Sequence, residues 1–360
     1  MLILTLALLS TACQTLPSQK AAVKSSDIQG LQTLYDYRLA GGKTLQPLNL
    51  DDLGRQLRNY DVIFFGEFHG NQASHLLEAQ LLAKLYSQNP EIIVSMEMFE
   101  RQQQAILNRY LDGEIGETYL VNEAPTWPNY KADYRPLVEF AKQNLLKVVA
   151  ANAPGETVRC VGRYGLDYLD HLNETQKQQV AEDDQYRFPQ YKQRYFEFMD
   201  KMRKLPEQRK EFSYQAQLLR DRTMAESIDK ALRASETGTQ LIHFNGSFHS
   251  EDRLGTVAAL QARRPDLKIA VITPLRGENN PFNDLDSDKR QSNDVFYWVL
   301  PQPAEFVDNA YKMQQRRAQF QAGEAKPCLV EGLEKRLSTT EGTGNTTPTG
   351  SDSNNSGMAD

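Results

Sequence analysis

The chain has 360 residues, three cysteines and a formal net charge of −6. That charge argues against a general binder of nucleic acid or of anionic membranes. Three cysteines form no disulfide scaffold, no four-cysteine zinc site and no CxxCH haem attachment, while the length allows a large core in one α/β domain with an insertion.

The first segment is a short apolar run, Leu2 to Leu9, far below the roughly 20 residues that span a bilayer. It leads into Leu9-Ser-Thr-Ala-Cys13, which resembles the lipobox of bacterial lipoproteins. Residues 1–13 are therefore expected to be a signal segment with Cys13 as the acylated residue, although no charged n-region precedes the apolar run. The polar stretch 14–30 then serves as a tether. Gln14 stands where an aspartate would signal inner-membrane retention, so the expected location is the envelope, lipid-anchored at the outer membrane and facing the periplasm or the cell surface.

Residues 31–337 read as a single α/β domain and 338–360, rich in Thr, Ser, Gly and Asn, as a disordered tail. Thr33–Arg38 and Thr44–Leu48 form a predicted hairpin, and Leu50–Arg58 a helix capped by Asn49. Five apolar runs with strand character follow: Asp61–Glu67, Glu91–Met98, Leu145–Asn152, Gln240–Gly246 and Leu267–Pro274. Helical periodicity follows the first run over Gln72–Ser87 and the second over Gln102–Tyr110. Ala124–Pro136 is a proline-broken loop rich in aromatics, with Trp127 and Tyr134 either covering the sheet or touching a ligand. Thr157–Leu172 reads as one helix containing Cys160, a core residue or a partner for Cys328. Residues 173–232 form a helical cap inserted between the third and fourth core strands, with its last helix, Phe212–Leu232, returning to the core. Asp294–Leu300 is an edge strand and Glu305–Ala322 a terminal helix. The fold class is therefore α/β, a mostly parallel sheet flanked by helices.

Four of these strands end in polar groups. Parallel strands with crossovers of one hand bring Glu67, His69, Glu97, Asn152 and His249 to the carboxyl edge of the sheet, where ligands bind. Glu67, His69, Glu97 and His249 have the types of metal ligands and of an acid–base pair, so one reading is a metal-dependent hydrolase. Their spacing is not that of an HExxH pair, and the plainer reading makes Glu67 a helix cap and His249 a turn anchor. His75 reads as structural or exposed, His243 as a core histidine and His171 as a helix end. No Walker, GxGxxG or GxSxG motif is present.

The motifs Gly66-Glu-Phe-His-Gly-Asn71, Ser95-Met-Glu-Met-Phe-Glu-Arg-Gln102, Tyr134-Arg-Pro-Leu-Val-Glu-Phe-Ala141, Asn152-Ala-Pro154, Tyr214–Glu226 and Asn245-Gly-Ser-Phe-His-Ser250 together resemble the ChaN-type haem-binding lipoproteins, from about Leu31 to Pro301. The resemblance implies an α/β sheet with a helical cap and a lipoprotein of iron acquisition that binds haem. It also implies a homodimer as one form and an outer-membrane haem or iron transporter as one partner. The same superfamily includes erythromycin-esterase-like hydrolases and Tiki-type metalloproteases, matched here by Gly66, Glu67, His69 and Glu97, which keeps the hydrolase as the alternative. A phenolate suits ferric haem, so Tyr130 and Tyr134 are the first expected iron ligands and the cap residues Tyr186, Tyr191, Tyr195 and Tyr214 the next. His69 and His249 compete with them, with Glu67 and Glu97 alongside. Arg135, Arg220 and Arg222 are candidates for the propionates. No separate metal site is expected beside haem.

Overall fold

The computed structural model describes residues 30–182, 188–202, 205–288 and 290–328. The lipobox with Cys13, nearly all of the tether, Tyr186 and the 338–360 tail lie outside the described residues.

The hairpin pairs β1 (Tyr37–Gly41) with β2 (Gln46–Leu48) and turns at Gly42, whose φ of +67° suits glycine. Helix α1 (Leu50–Leu57) starts where the Asn49 side chain accepts the Asp52 N–H in a capping box. Then come β3 (Val62–Glu67), α2 (Gln72–Gln88), β4 (Ile92–Glu100), α3 (Gln104–Leu111) and α4 (Glu117–Glu123). A π-helical turn over Tyr130–Tyr134 runs into α5 (Arg135–Gln143), followed by β5 (Val148–Asn152) and α6 (Gly155–Tyr164). The long excursion holds α7 (Glu174–Lys177), α8 (Pro189–Met202) and α9 (Glu207–Arg233). The chain closes with β6 (Gln240–Gly246), α10 (Gly255–Arg263), β7 (Ile269–Arg276), β8 (Asp294–Val299) and α11 (Asn309–Glu324).

The eight strands form one sheet in the order β2-β1-β8-β7-β3-β6-β4-β5. All pairings from β8 to β5 are parallel, and the hairpin adds antiparallel strands at one edge. The mostly parallel α/β class expected from the alternating pattern is the class observed. Strand residues alternate between two cores, as period-two geometry requires. Ile63, Phe65, Val94, Met96 and Phe244 pack on one side with α2 and α5, whereas Val62, Phe64, Ile93, Leu241 and Val271 pack on the other with α9 and α10.

Three expectations need correction. The Asp294–Leu300 segment is not an edge: β8 lies between β7 and β1, every residue of it buried, because the hairpin docks outside it. The helix expected over Thr157–Leu172 breaks at Gly165, whose φ of +79° ends α6 before a 3-10 turn over Leu166–His171. Ala124–Pro136 is not all loop, since Tyr130–Tyr134 coils so that the Arg135 N–H reaches Tyr130 O.

The excursion between β5 and β6 has two parts. Tyr191, Tyr195, Tyr214 and Leu218 make a small cluster against Phe248, beside the end of β6. The second half of α9, with Met224, Ala225 and Ile228, lies on the sheet as its crossover helix. A disulfide joins Cys160 on α6 to Cys328, spanning 168 residues.

Candidate functional site

Register decides which side of the sheet each strand-end group serves. Phe64, His243 and Ser95 are level across β3, β6 and β4, so Gly66, Asn245 and Glu97 follow on the side of α9. Glu67, one residue on, shares the side of Phe65 and α2. The two glutamates therefore occupy opposite faces of one sheet edge, and each builds its own cluster.

On the α9 side, Glu97 is 4% exposed and accepts the Gly246 N–H at 2.7 Å. His249 places Nε2 3.3 Å from Glu97 Oε1 and Nδ1 2.7 Å from Asp221 Oδ1. Asp221 also accepts hydrogen bonds from Thr256 and from Tyr191. Burial alone would raise the Glu97 carboxyl, but the His249 charge and the Gly246 N–H hold it well below its usual range. Burial alone would likewise lower His249, and the Glu97 and Asp221 carboxylates instead lift it to about 10. Asn152, the last residue of β5, donates to Glu97 O within β4 and so ties the two strand ends together. His243, fully buried, is pushed down to about 3 and stays a neutral core histidine against Ser95.

On the α2 side, Glu67 Oε1 accepts the Tyr134 hydroxyl at 2.8 Å and lies 2.6 Å from His69 Nδ1. His75 Nδ1 lies 3.1 Å from Glu67 Oε2 and 2.8 Å from Glu78 Oε2. Gly70 N–H points at His75 Nε2 (3.1 Å), and Asp133 Oδ2 stands 3.4 Å from the same nitrogen. Burial, then the charge of Glu67, drives the Glu78 carboxyl up to about 8. Burial and Glu67 also raise the Tyr134 phenol, which keeps its proton as the donor to Glu67.

His69 joins the two clusters. Its backbone is in the β3–α2 loop, yet its Nε2 lies over Gly246, where an added Cβ would come within 2.6 Å. Only glycine lets the ring sit there. Burial opposes charging this ring, but the Glu67 hydrogen bond and charge outweigh it and raise its pKa. Trp127 meets the ring edge-on, with centroids 4.9 Å apart. Both turn histidines stand third after a strand-end glycine, Gly66 before His69 and Gly246 before His249.

The candidate ligands differ sharply in access. The His69 side chain is 44% exposed, whereas Tyr130, Tyr134, Tyr191, Tyr195, Tyr214 and His249 are all buried. Arg135 is engaged by Glu117 through Nη2 at 3.1 Å, Arg222 is buried and Arg220 half-buried. Glu67, His69, Glu97 and His249 share the edge as two pairs. Among the described residues, the group whose metal-ligating atoms converge is Glu67, His75 and Glu78. His75, Glu78, Asp133 and Asp221 are the residues that sequence reasoning missed. A signal existed for two of them: His75 and Glu78, three apart, lie among the buried leucines of α2.

A model of the family described as haem-binding uptake, Tiki superfamily, ChaN matches residues 53–260, more than half of the chain. Among curated proteins the sequence has no match. A solved structure described as cofacial haem binding to ChaN of Campylobacter jejuni is similar at 20% identity with a TM-score of 0.55, covering 74% of this chain and 99% of that one. An erythromycin esterase, EreC, in an open conformation is similar at 14% identity and a TM-score of 0.39, over 67% of this chain and 77% of its own. The type III effector HopBA1 is similar at 12% identity and a TM-score of 0.39, over 76% of this chain and 99% of its own. The first likeness is one of fold, and the other two carry no argument.

Proposed function

We propose that this chain, which belongs to the haem-binding uptake family of the Tiki superfamily, ChaN, binds haem at its strand-end face with His69 as the iron ligand. The observation that carries this choice is access. Among the described candidate ligands, His69 alone is exposed, at 44%. Its Nδ1 is held 2.6 Å from the buried Glu67 carboxylate, which orients the ring, and iron would take Nε2 by drawing it off its place over Gly246. A histidine oriented by a carboxylate in this way is a strong metal ligand. Bound haem would supply a ferric iron able to take an axial imidazole. Trp127 offers a flat apolar wall beside the ring. Arg276, exposed and stacked 4.2 Å over the Phe68 ring, is the partner for a propionate in place of Arg135, which Glu117 already holds.

The same reading places the protein in the cell envelope, anchored through an acylated Cys13 and serving haem or iron acquisition with an outer-membrane transporter, as a monomer or homodimer. The Cys160–Cys328 disulfide supports an oxidising compartment. No described helix is long and apolar enough to cross a membrane.

The test is a hemin titration of the purified chain followed by Soret absorbance. A saturable shift that His69→Ala abolishes and Tyr134→Phe leaves in place supports the reading. A shift lost with a tyrosine variant instead moves the ligand, and no saturable shift removes haem from the account. For the anchor, Cys13→Ser should abolish palmitate incorporation and release the protein from the membrane fraction; retained labelling would refute it.

A further inference from the structure

We propose that Glu67, His75 and Glu78 form a binding site for one divalent transition-metal cation, apart from the haem face at His69. One ligand atom from each residue lies within 4.8 Å of the other two, and the side chains are 1%, 7% and 0% exposed. His75 Nδ1 faces both carboxylates, at 2.8 Å from Glu78 Oε2 and 3.1 Å from Glu67 Oε2. The three come together because β3 ends with Glu67 on the α2 side and His75 and Glu78 stand one turn apart on the face of α2 that meets it.

A second observation is independent of this grouping. Glu67 Oε2 and Glu78 Oε1 are buried and accept no hydrogen bond, Glu67 Oε2 having only its ion-pair contact with His75 Nδ1. A buried carboxylate oxygen without a donor is costly and calls for a partner. The partners that Glu67 does have, the Tyr134 hydroxyl and His69, are both on Oε1. That fixes the carboxylate plane and leaves Oε2 turned toward His75. A cation among the three residues would satisfy both oxygens.

The surroundings fit a ligating imidazole. With the cation on Nδ1, the ring proton moves to Nε2, which Asp133 Oδ2 faces at 3.4 Å. A carboxylate behind a histidine ligand orients it and raises its basicity. Nε2 accepts the Gly70 N–H at 3.1 Å, a hydrogen bond that cation binding at Nδ1 would exchange for one to Asp133. Two carboxylates with one imidazole suit Zn²⁺, Mn²⁺ or Fe²⁺ better than Ca²⁺ or Mg²⁺, which favour oxygen ligands throughout. The proposal departs from the expectation that no metal site stands apart from haem. It does not depend on the haem reading.

The experiment uses the full chain freed of haem, with Zn²⁺ titrated against a chromophoric chelator and Mn²⁺ followed by its electron paramagnetic resonance. The wild type should take up about one equivalent of cation. Glu78→Gln should weaken binding by about a hundredfold or more with the circular dichroism unchanged, while His171→Ala, at an exposed histidine outside the site, leaves affinity unchanged. If Glu78→Gln fails to fold, Glu78→Asp, which keeps the charge but shortens its reach, should weaken binding about tenfold. Absence of stoichiometric binding by the wild type would overturn the proposal, as would unchanged affinity in a folded Glu78 variant. Binding lost in His69→Ala but kept in Glu78→Gln would put the cation at the haem face and also overturn it. Loss of the Soret shift in His69→Ala with the cation retained supports both readings separately.

Discussion

Replacing Glu97 by glutamine should remove a charge from the α9-side cluster while leaving its shape. The carboxylate is 4% exposed, accepts the Gly246 N–H at 2.7 Å and lies 3.3 Å from His249 Nε2. A glutamine oxygen can still accept the Gly246 N–H, so the variant isolates the ion pair. Removing one member of a buried pair costs about 3–5 kcal/mol because the other charge is left uncompensated. Asp221 still holds His249 Nδ1 at 2.7 Å, so we expect the lower end, about 3 kcal/mol.

The pH dependence is the sharper test. Burial opposes the charged imidazole, but Glu97 and Asp221 raise His249 from 6.5 to about 10. A pKa raised by folding contributes stability fully below the unfolded value and loses it as pH climbs through the folded one. The Glu97 pKa is depressed below 4.5, so its share is present above that value and is lost on acidification. The difference between wild type and Glu97→Gln should thus be widest between about pH 5 and 6.5 and shrink toward pH 10. Urea unfolding of both proteins at pH 6 and pH 9.5, followed by circular dichroism, measures it. A difference below about 1 kcal/mol at pH 6, or one equal at the two pH values, would refute the assignment of a charged His249.

Three further outcomes follow from particular contacts. Gly246→Ala brings a Cβ within 2.6 Å of His69 Nε2, at the tip of a 44% exposed ring that can swing away; stability should change by less than about 1 kcal/mol while haem affinity falls at least about tenfold, and equal titrations would count against His69. Opening the Cys160–Cys328 link with Cys160→Ala and Cys328→Ala frees a loop of 168 residues, for which chain entropy gives about 5 kcal/mol of lost stability; urea midpoints read the effect, and two free thiols in the untreated wild type would deny the bond. His243, pushed down to about 3 by burial, should show no imidazole titration by NMR between about pH 5 and 8, and a titrating signal would mean that the strand core admits charge.

Much of the fold was legible in the chain. Runs such as Val62–Phe65 and Ile92–Val94 are apolar on both faces and suit only strands covered on both sides. Their abrupt polar endings at Glu67, Glu97, Asn152 and Asn245 told which edge would carry the site. The edge assignment of β8 failed because the apolar run and the Pro301 after it signal where a strand lies and stops, not what docks beside it. The single helix over Thr157–Leu172 failed at Gly165, where the apolar spacing continues but the backbone turns to positive φ.

The sequence by itself determined which residues end the strands, and hence that Glu67, His69, Glu97 and His249 meet at one edge. It did so because parallel strands with same-handed crossovers leave no other placement for their carboxyl ends. Only the tertiary structure decided how those residues pair. The register of β3, β6 and β4 sends Glu97 to the α9 side and Glu67 to the α2 side, and side chains alternate with a period of two, so a one-residue shift would exchange them. The rotation of α2 then turns His75 and Glu78 toward Glu67, and the coiling of Tyr130–Tyr134 buries the two phenols that the family resemblance and the affinity of phenolate for ferric iron had made the first candidates.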